Sequence, residues 1–202
     1  MPPRLLRLLA ALALLLPGAA RAQEDRLSGL YINAFFGLAV LDSTVTVPGT
    51  GGAPPMRFVD QGGDGMIYGL RLGYGHRFSE GLYLGAEIEG LLPISVTSRL
   101  MAAGVEYRAR LRQEIGAYGR VGYSLDGRSL LFFRAGLTVP HQVFETGAEA
   151  QSRRTPGLAL GAGAEVLVLP RVGIRLDGTW DLPAGRNDLE SYRATLAVVW
   201  RF

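Results

Sequence analysis

The sequence predicts an all-β chain: an eight-stranded antiparallel up-and-down transmembrane β-barrel preceded by a cleaved signal peptide. One ground is the last stretch, residues 191–202 (SYRATLAVVWRF). Tyr192, Ala194, Leu196, Val198, Trp200 and Phe202 are side chains that lipid accepts, while Arg193, Thr195, Ala197, Val199 and Arg201 between them are polar, small or charged. Strict period two means a strand with two unlike faces. Grease on one face and charge on the other is how a strand divides lipid from lumen. A second ground is that seven earlier segments repeat the pattern. The third is that their connections run long, short, long, short, long, short, long, as in bacterial outer-membrane barrels.

Residues 1–22 read as the signal peptide. Arg4 and Arg7 form a basic start, residues 8–16 an apolar core, and Ala20-Arg21-Ala22 a small-x-small cleavage site before Gln23. The apolar run is too short for a bilayer span and is broken by Pro17-Gly18. Residues 23–202 then form the barrel domain. Of 21 basic residues, Arg4, Arg7 and Arg21 fall in the leader, which leaves 18 against 18 acidic ones, a formally neutral mature chain. Its charge therefore gives no reason to expect a nucleic-acid partner. There is no cysteine, so disulfides and thiolate metal sites are excluded. Nothing after the leader approaches the ~18 apolar residues of a membrane helix. A membrane-bound chain must then close into a barrel, which satisfies every backbone group.

The elements follow in order. In the first strand, residues 30–41, Leu30, Ile32, Ala34, Phe36, Leu38 and Val40 face out and Tyr31, Asn33, Phe35 and Gly37 face in. Residues 42–66 hold VPGTGGAPP and DQGGDG, breaker residues without helical period, and are predicted as a long loop. The second strand, residues 67–78, sets Tyr68, Leu70, Leu72 and Tyr74 outside against Gly69, Arg71, Gly73, Gly75 and Arg77. Ser79-Glu80-Gly81 turns into a third strand from Leu82, with Leu82, Leu84, Ala86, Ile88, Gly90, Leu92, Ile94 and Val96 opposite Tyr83, Gly85, Glu87 and Glu89. The fourth, residues 105–125, sets Val105, Tyr107, Ala109, Leu111, Ile115, Ala117, Val121, Tyr123 and Leu125 against Glu106, Arg108, Arg110, Arg112, Glu114, Tyr118 and Arg120. Gln113 is the one exception.

That pair outruns the ~9–11 residues a tilted strand needs to cross the hydrocarbon. It is predicted to stand clear of the membrane as a hairpin with its tip at residues 99–104. A register symmetric about that tip sets Glu87 opposite Arg120. Asp126-Gly127 then marks a short turn. The fifth strand, residues 130–139, puts Leu131, Phe133, Ala135 and Leu137 outside and Phe132, Arg134 and Gly136 inside, and residues 140–156 are predicted as a second long polar loop. The sixth, residues 157–169, sets Leu158, Leu160, Ala162, Ala164, Val166 and Val168 against Gly161, Gly163 and Glu165. Pro170-Arg171 turns into the seventh, residues 172–182, with Ile174, Leu176 and Trp180 out and Arg175, Asp177 and Asp181 in. Outer-face aromatics gather at the strand ends: Tyr74, Phe78, Tyr123, Trp200 and Phe202 at the end that carries the termini, Tyr68, Trp180 and Tyr192 at the other. Such girdles sit at membrane interfaces. Both termini are predicted to be periplasmic.

GLALGAGAEVLVL, VGIRLDGTWDL and RATLAVVWRF together resemble the last three strands of the OmpA/OmpX-type outer-membrane β-barrel domain family. That family includes small surface-antigen and porin-like proteins of Gram-negative bacteria. The resemblance covers the mature chain and implies the cell outer membrane and contact with lipid and lipopolysaccharide; in one departure from full-length OmpA proteins nothing follows Phe202, and no peptidoglycan-binding domain is expected. The resemblance also implies that the terminal pattern of Tyr192, Leu196, Val198, Trp200 and Phe202 is a signal read by the outer-membrane assembly machinery.

The chemistry available is mostly charge. Arg71, Glu87, Glu89, Arg120, Arg134, Glu165, Arg175 and Asp177 all fall on inward positions, as do Glu114, Asp181 and Arg193. An eight-stranded bore is only wide enough to be filled by side chains, so these predict a buried ion-pair network, with the ladder Glu87–Arg120–Arg134–Glu165 at its centre. The alternative is a charged constriction that passes ions or small solutes. Arg108, Arg110, Arg112, Arg153 and Arg154 form a second group on the protruding part, predicted to meet an acidic partner or lipid phosphate beside an exposed strand edge. A lipid-modifying enzyme is a third reading. His141 lies in the loop near Glu145, with no serine motif at readable spacing, and no enzyme is predicted. The glycines of GLALGAGAE lie inside a strand instead of opening a helix, and no cofactor or metal is predicted. A soluble lipocalin-like barrel would need the opposite arrangement, grease inside and charge outside.

Overall fold

The computed structural model describes residues 26–42, 45–47, 54, 56–58, 62–102, 105–124, 126–146, 149–184 and 190–202. The predicted signal peptide lies outside them. The strands are β1 (Gly29–Asp42), β2 (Val45–Val47), β3 (Met56–Phe58), β4 (Gly63–Arg77), β5 (Leu82–Ile94), β6 (Thr97–Ala102), β7 (Val105–Ser124), β8 (Ser129–Thr146), β9 (Glu149–Arg154), β10 (Gly157–Leu167), β11 (Val172–Pro183) and β12 (Glu190–Arg201). Eight of them run antiparallel around a closed barrel in the order β1-β4-β5-β7-β8-β10-β11-β12, and β12 pairs back onto β1 from Tyr31↔Arg201 to Asp42↔Glu190. Closure leaves no free sheet edge at membrane depth.

Inside and outside follow the sequence parity through the barrel body. The outer face carries exposed Leu, Ile, Val and Phe side chains, whereas Arg71, Glu87, Arg134 and Arg175 are buried in the lumen. Along β8 the outward run from Leu131 to Val139 is the ~9-residue length needed to cross hydrocarbon. Three tight turns close one end. Phe78 N donates to Leu82 O at 2.7 Å in the first, and Val168 N to Val172 O at 2.9 Å in the third. In the second, Gly127 takes φ +73°, open to glycine at little cost, and Asp126 Oδ1 accepts from the amides of Arg128 (2.9 Å) and Ser129 (2.6 Å).

The opposite end departs from the sequence reading in four ways. First, residues 140–146 and 149–154 are strand where a loop was expected. β8 runs on to Thr146 and β9 pairs with it from His141↔Arg154 to Thr146↔Glu149. With β6 and β7 this makes a four-stranded sheet, β6-β7-β8-β9, standing beyond the barrel. The prolines that bound that segment, Pro140 and Pro156, sit where the ladder leaves the barrel. Second, residues 42–66 include the short β2–β3 hairpin and the start of β4.

Third, Glu87 pairs with Tyr118, and Arg120 pairs with Gly85. The tip itself is symmetric as expected, with Thr97 opposite Arg110 and Ala102 opposite Val105. Between the tip and Leu91↔Glu114, however, one strand holds five residues and the other three. The surplus bends out at Ser95, whose φ is +58°. Fourth, β7 shifts register between Leu111 and Gln113. A bulge resets the two-residue alternation. Below it the even residues Glu114, Tyr118 and Arg120 point inward; above it Ala109 and Leu111 do, together with Val96 from across the kink. Those three side chains were expected outside, and the Arg108–Arg110–Arg112 face turns outward in their place. Gln113, the exception to the alternation, marks the spot.

Candidate functional site

The lumen is built in layers. Its middle holds six guanidinium groups, Arg71, Arg120, Arg134, Arg175, Arg193 and Arg201, and six carboxylates, Glu87, Glu89, Glu114, Glu165, Asp177 and Asp181, all buried. β5 supplies the hub. Glu87 accepts from Arg134 Nη1 (2.8 Å), from Arg175 Nη1 (2.8 Å) and Nη2 (3.1 Å), and from the Tyr31 hydroxyl (2.8 Å). Two residues on, Glu89 accepts from Arg134 Nη2 (2.9 Å) and Arg193 Nη1 (3.0 Å), and pairs with Arg71 Nε. Asp177 takes Arg71 Nη1 (3.1 Å), Arg175 Nε (3.1 Å) and the Thr195 hydroxyl (3.0 Å). Planar guanidinium forks bridge successive carboxylates, which is why arginine suits such a network.

The expected ladder is rearranged. Arg120 reaches Glu165 (3.4 Å) and stands 3.7 Å from Glu87, a diagonal approach that survives the change in register. Arg134 goes to Glu87 and Glu89 and makes no bond with Glu165. Glu165 is held by Arg201, which also donates to the Leu27 carbonyl. Arg193 and Asp181 form a subsite at the loop end (2.9 Å), and Arg193 Nη1 stands 3.0 Å from Glu114 Oε1 without hydrogen-bond alignment. Sequence reasoning passed over Arg201. Its inward parity in β12 is the signal that marks it.

Two apolar layers enclose this charge; inward parity placed Phe35, Tyr83 and Phe132 in the lumen but did not reveal the layers. At the loop end Leu41, Ile67, Leu91, Val96 and Leu111 pack together. At the turn end Leu27, Tyr83, Leu130, Phe132 and Leu167 do so. Leu27 arrives from the residues before β1, and its side chain is fully buried. Aromatic rings join the layers to the charges: Arg120 lies 4.0 Å above Phe132, Arg134 3.8 Å above Tyr118 and Arg71 4.1 Å above Phe35. Such contacts are favourable for a desolvated cation. The cavity lined by Leu41, Leu111, Glu114, Thr138, Asp181 and Ser191 measures about 10 Å³, room for at most one water.

The five basic residues predicted for surface contact are divided by the bulge and the β8–β9 ladder. Arg108 pairs with Glu106 (2.9 Å) and Glu145 (3.5 Å), and Arg110 with Glu145 (3.2 Å). Arg153 stacks over Phe144 at 5.9 Å. Arg112 and Arg154 are exposed at the foot of the extension sheet.

A closed eight-stranded barrel, charged within and greasy without, is an outer-membrane architecture, and the chain matches the outer membrane protein beta-barrel domain over residues 8–202. It belongs to that family. Among solved structures it is similar to Neisserial surface protein A, at 15% identity and a TM-score of 0.55, covering 87% of this chain and 98% of that one. It is also similar to Ail, the attachment invasion locus protein of Yersinia pestis, at 14% identity and a TM-score of 0.50, covering 86% and 99%. Identities this low report the shared fold. Compared by sequence with curated proteins, the chain matches none.

As a member of this outer-membrane family the chain sets its apolar band against lipid, and β12 contributes Tyr192, Leu196, Val198, Trp200 and Phe202 to it, all exposed on the outer face. Trp180 stacks on Tyr192 with centroids 6.0 Å apart, a paired aromatic at the loop-end boundary. His141, placed in a loop by the sequence reading, is in β8, and its Nε2 lies 2.7 Å from Ser152 Oγ across the β8–β9 hairpin. The partner serine is eleven positions away, so no spacing motif could have revealed it.

Proposed function

We propose that this outer-membrane barrel is a closed structural anchor that presents its extension sheet to the cell exterior and acts there by surface interaction. The observation that carries the reading is the lumen: balanced charge between two apolar layers, with a cavity of about 10 Å³. A bore filled in this way has no aqueous path for a solute. What remains available is the sheet β6-β7-β8-β9, in which β9 has an edge with no strand beside it among the described residues and β6 meets β4 only at its foot, near Thr97 and Ser98. Unpaired edges accept an extended partner by strand addition, and Arg99 on β6 and Arg153 on β9, both exposed, favour an acidic one. The Arg–carboxylate network then serves rigidity, and the outward pattern of β12 serves recognition by the assembly machinery.

Planar-bilayer recording of the refolded chain tests the closed lumen. The expected result is a flat baseline; reproducible single-channel steps would replace the anchor with a small pore. Replacing residues 98–109 by a short turn should leave membrane insertion intact and weaken retention on an immobilised acidic polypeptide. An impermeant thiol label on Ala150→Cys in intact cells reports which side the extension occupies, and labelling is expected.

A further inference from the structure

The bulge in β7 gathers a second polar group that neither the lumen nor the sheet edge uses. The ladder runs Gln113↔His141↔Arg154 across β7, β8 and β9, so these three residues share the outward face of the sheet. Arg112, the extra residue of the bulge, stands beside Gln113 and is exposed. Ser152 completes the group and holds His141 Nε2 at 2.7 Å. Two inter-strand spacings separate Gln113 from Arg154, about 10 Å between their backbones. Two guanidinium groups thus flank an imidazole and a hydroxyl.

Position and charge say what fits there. The group begins just above the apolar band: exposed Val139 is two residues below His141, about 7 Å along the strand. That is the level at which a membrane passes from acyl chain to headgroup. Higher on the sheet, Glu106 and Glu145 neutralise Arg108 and Arg110. At the foot, Arg112 and Arg154 make no ion pair among the described residues, and no acidic residue lies opposite them in the ladder. Forked donors of this kind match a phosphate held between them. We propose that Arg112, His141, Ser152 and Arg154 form a binding site for the phosphomonoester of an outer-leaflet lipid, the phosphorylated saccharide headgroup of lipopolysaccharide. A phosphomonoester carries more charge than the single-charge diester of a phospholipid, and two unpaired cations complement it better. The choice of leaflet rests on the proposed outward orientation of the extension; the phosphate chemistry does not.

The test uses the mature chain refolded in detergent micelles, with bisphosphorylated lipid A, phosphate-free lipid A and phosphatidylglycerol as probes. Bisphosphorylated lipid A is expected to bind about tenfold more tightly than either of the others, and Arg112→Gln/Arg154→Gln should erase that preference. Arg128→Gln/Arg171→Gln, which removes the same charge from the turn end, should preserve it. The heat-resistant folded band on unboiled gels checks that each variant is a barrel. Equal binding of phosphate-free lipid A, or a preference unchanged in the Arg112/Arg154 variant, overturns the site. If the preference holds while Ala150→Cys resists labelling in intact cells, the orientation fails and the phosphate site stands.

Discussion

Glu87 is the residue on which the lumen converges. It accepts from two arginines and a tyrosine and lies near a third arginine. A buried pair contributes little beyond what well-packed apolar groups would, yet losing one partner leaves stranded charge. Glu87→Ala should therefore cost about 3–5 kcal/mol, the usual effect of breaking a buried pair. The loss is read as a lower temperature for the shift from folded to unfolded band on gels. Glu87→Gln keeps an acceptor for Tyr31 and should fall between the two; an unchanged transition in both variants would remove Glu87 from the centre of the network. Much of this site was legible because charge on inward parity has only one place to go in a filled bore. The pairing was not, since long arginine side chains choose partners across the lumen, and strand alternation carries no information about distance through it.

At the scale of elements, two irregularities separate the extension from the barrel. Ser95 holds φ +58°, a left-handed conformation that costs a residue with a Cβ about 1–2 kcal/mol. Ser95→Val should raise that cost and speed amide exchange in β6, with β1, β4 and β12 unaffected; uniform acceleration around the barrel would mean the kink is not local. At the other end, amide bonds from Arg128 and then Ser129 hold the Asp126 carboxyl below the usual carboxylate range. A lowered folded value means the stabilisation is present above the ordinary carboxylate pKa and is lost as pH falls through the folded one. The turn's advantage over Asp126→Ala, measured by exchange at Arg128 and Ser129, should accordingly exist at neutral pH and vanish in acid. The barrel strands were readable since lipid demands an unbroken outer face. Above the membrane that demand ends, bulges become tolerable, and Pro140 and Thr155-Pro156 could no longer be told from loop residues.

Across the whole molecule, charge and shape balance. The six lumen guanidinium groups are matched by six carboxyl groups, so the core as a unit offers little charge for a transmembrane field to move. The flat baseline expected in bilayer recordings should hold at either polarity. β9 and β10 keep one register against β8, from Thr146↔Glu149 to Gly157↔Thr138 and beyond, while the bulge in β7 and the kink at Ser95 absorb every change of phase above the rim. Such a joint uncouples heredity on its two sides. A residue gained or lost in the protruding sheet need not rotate any side chain below it from lumen to lipid. Lineages can therefore lengthen, shorten or rewrite what faces their surroundings and inherit the same barrel underneath.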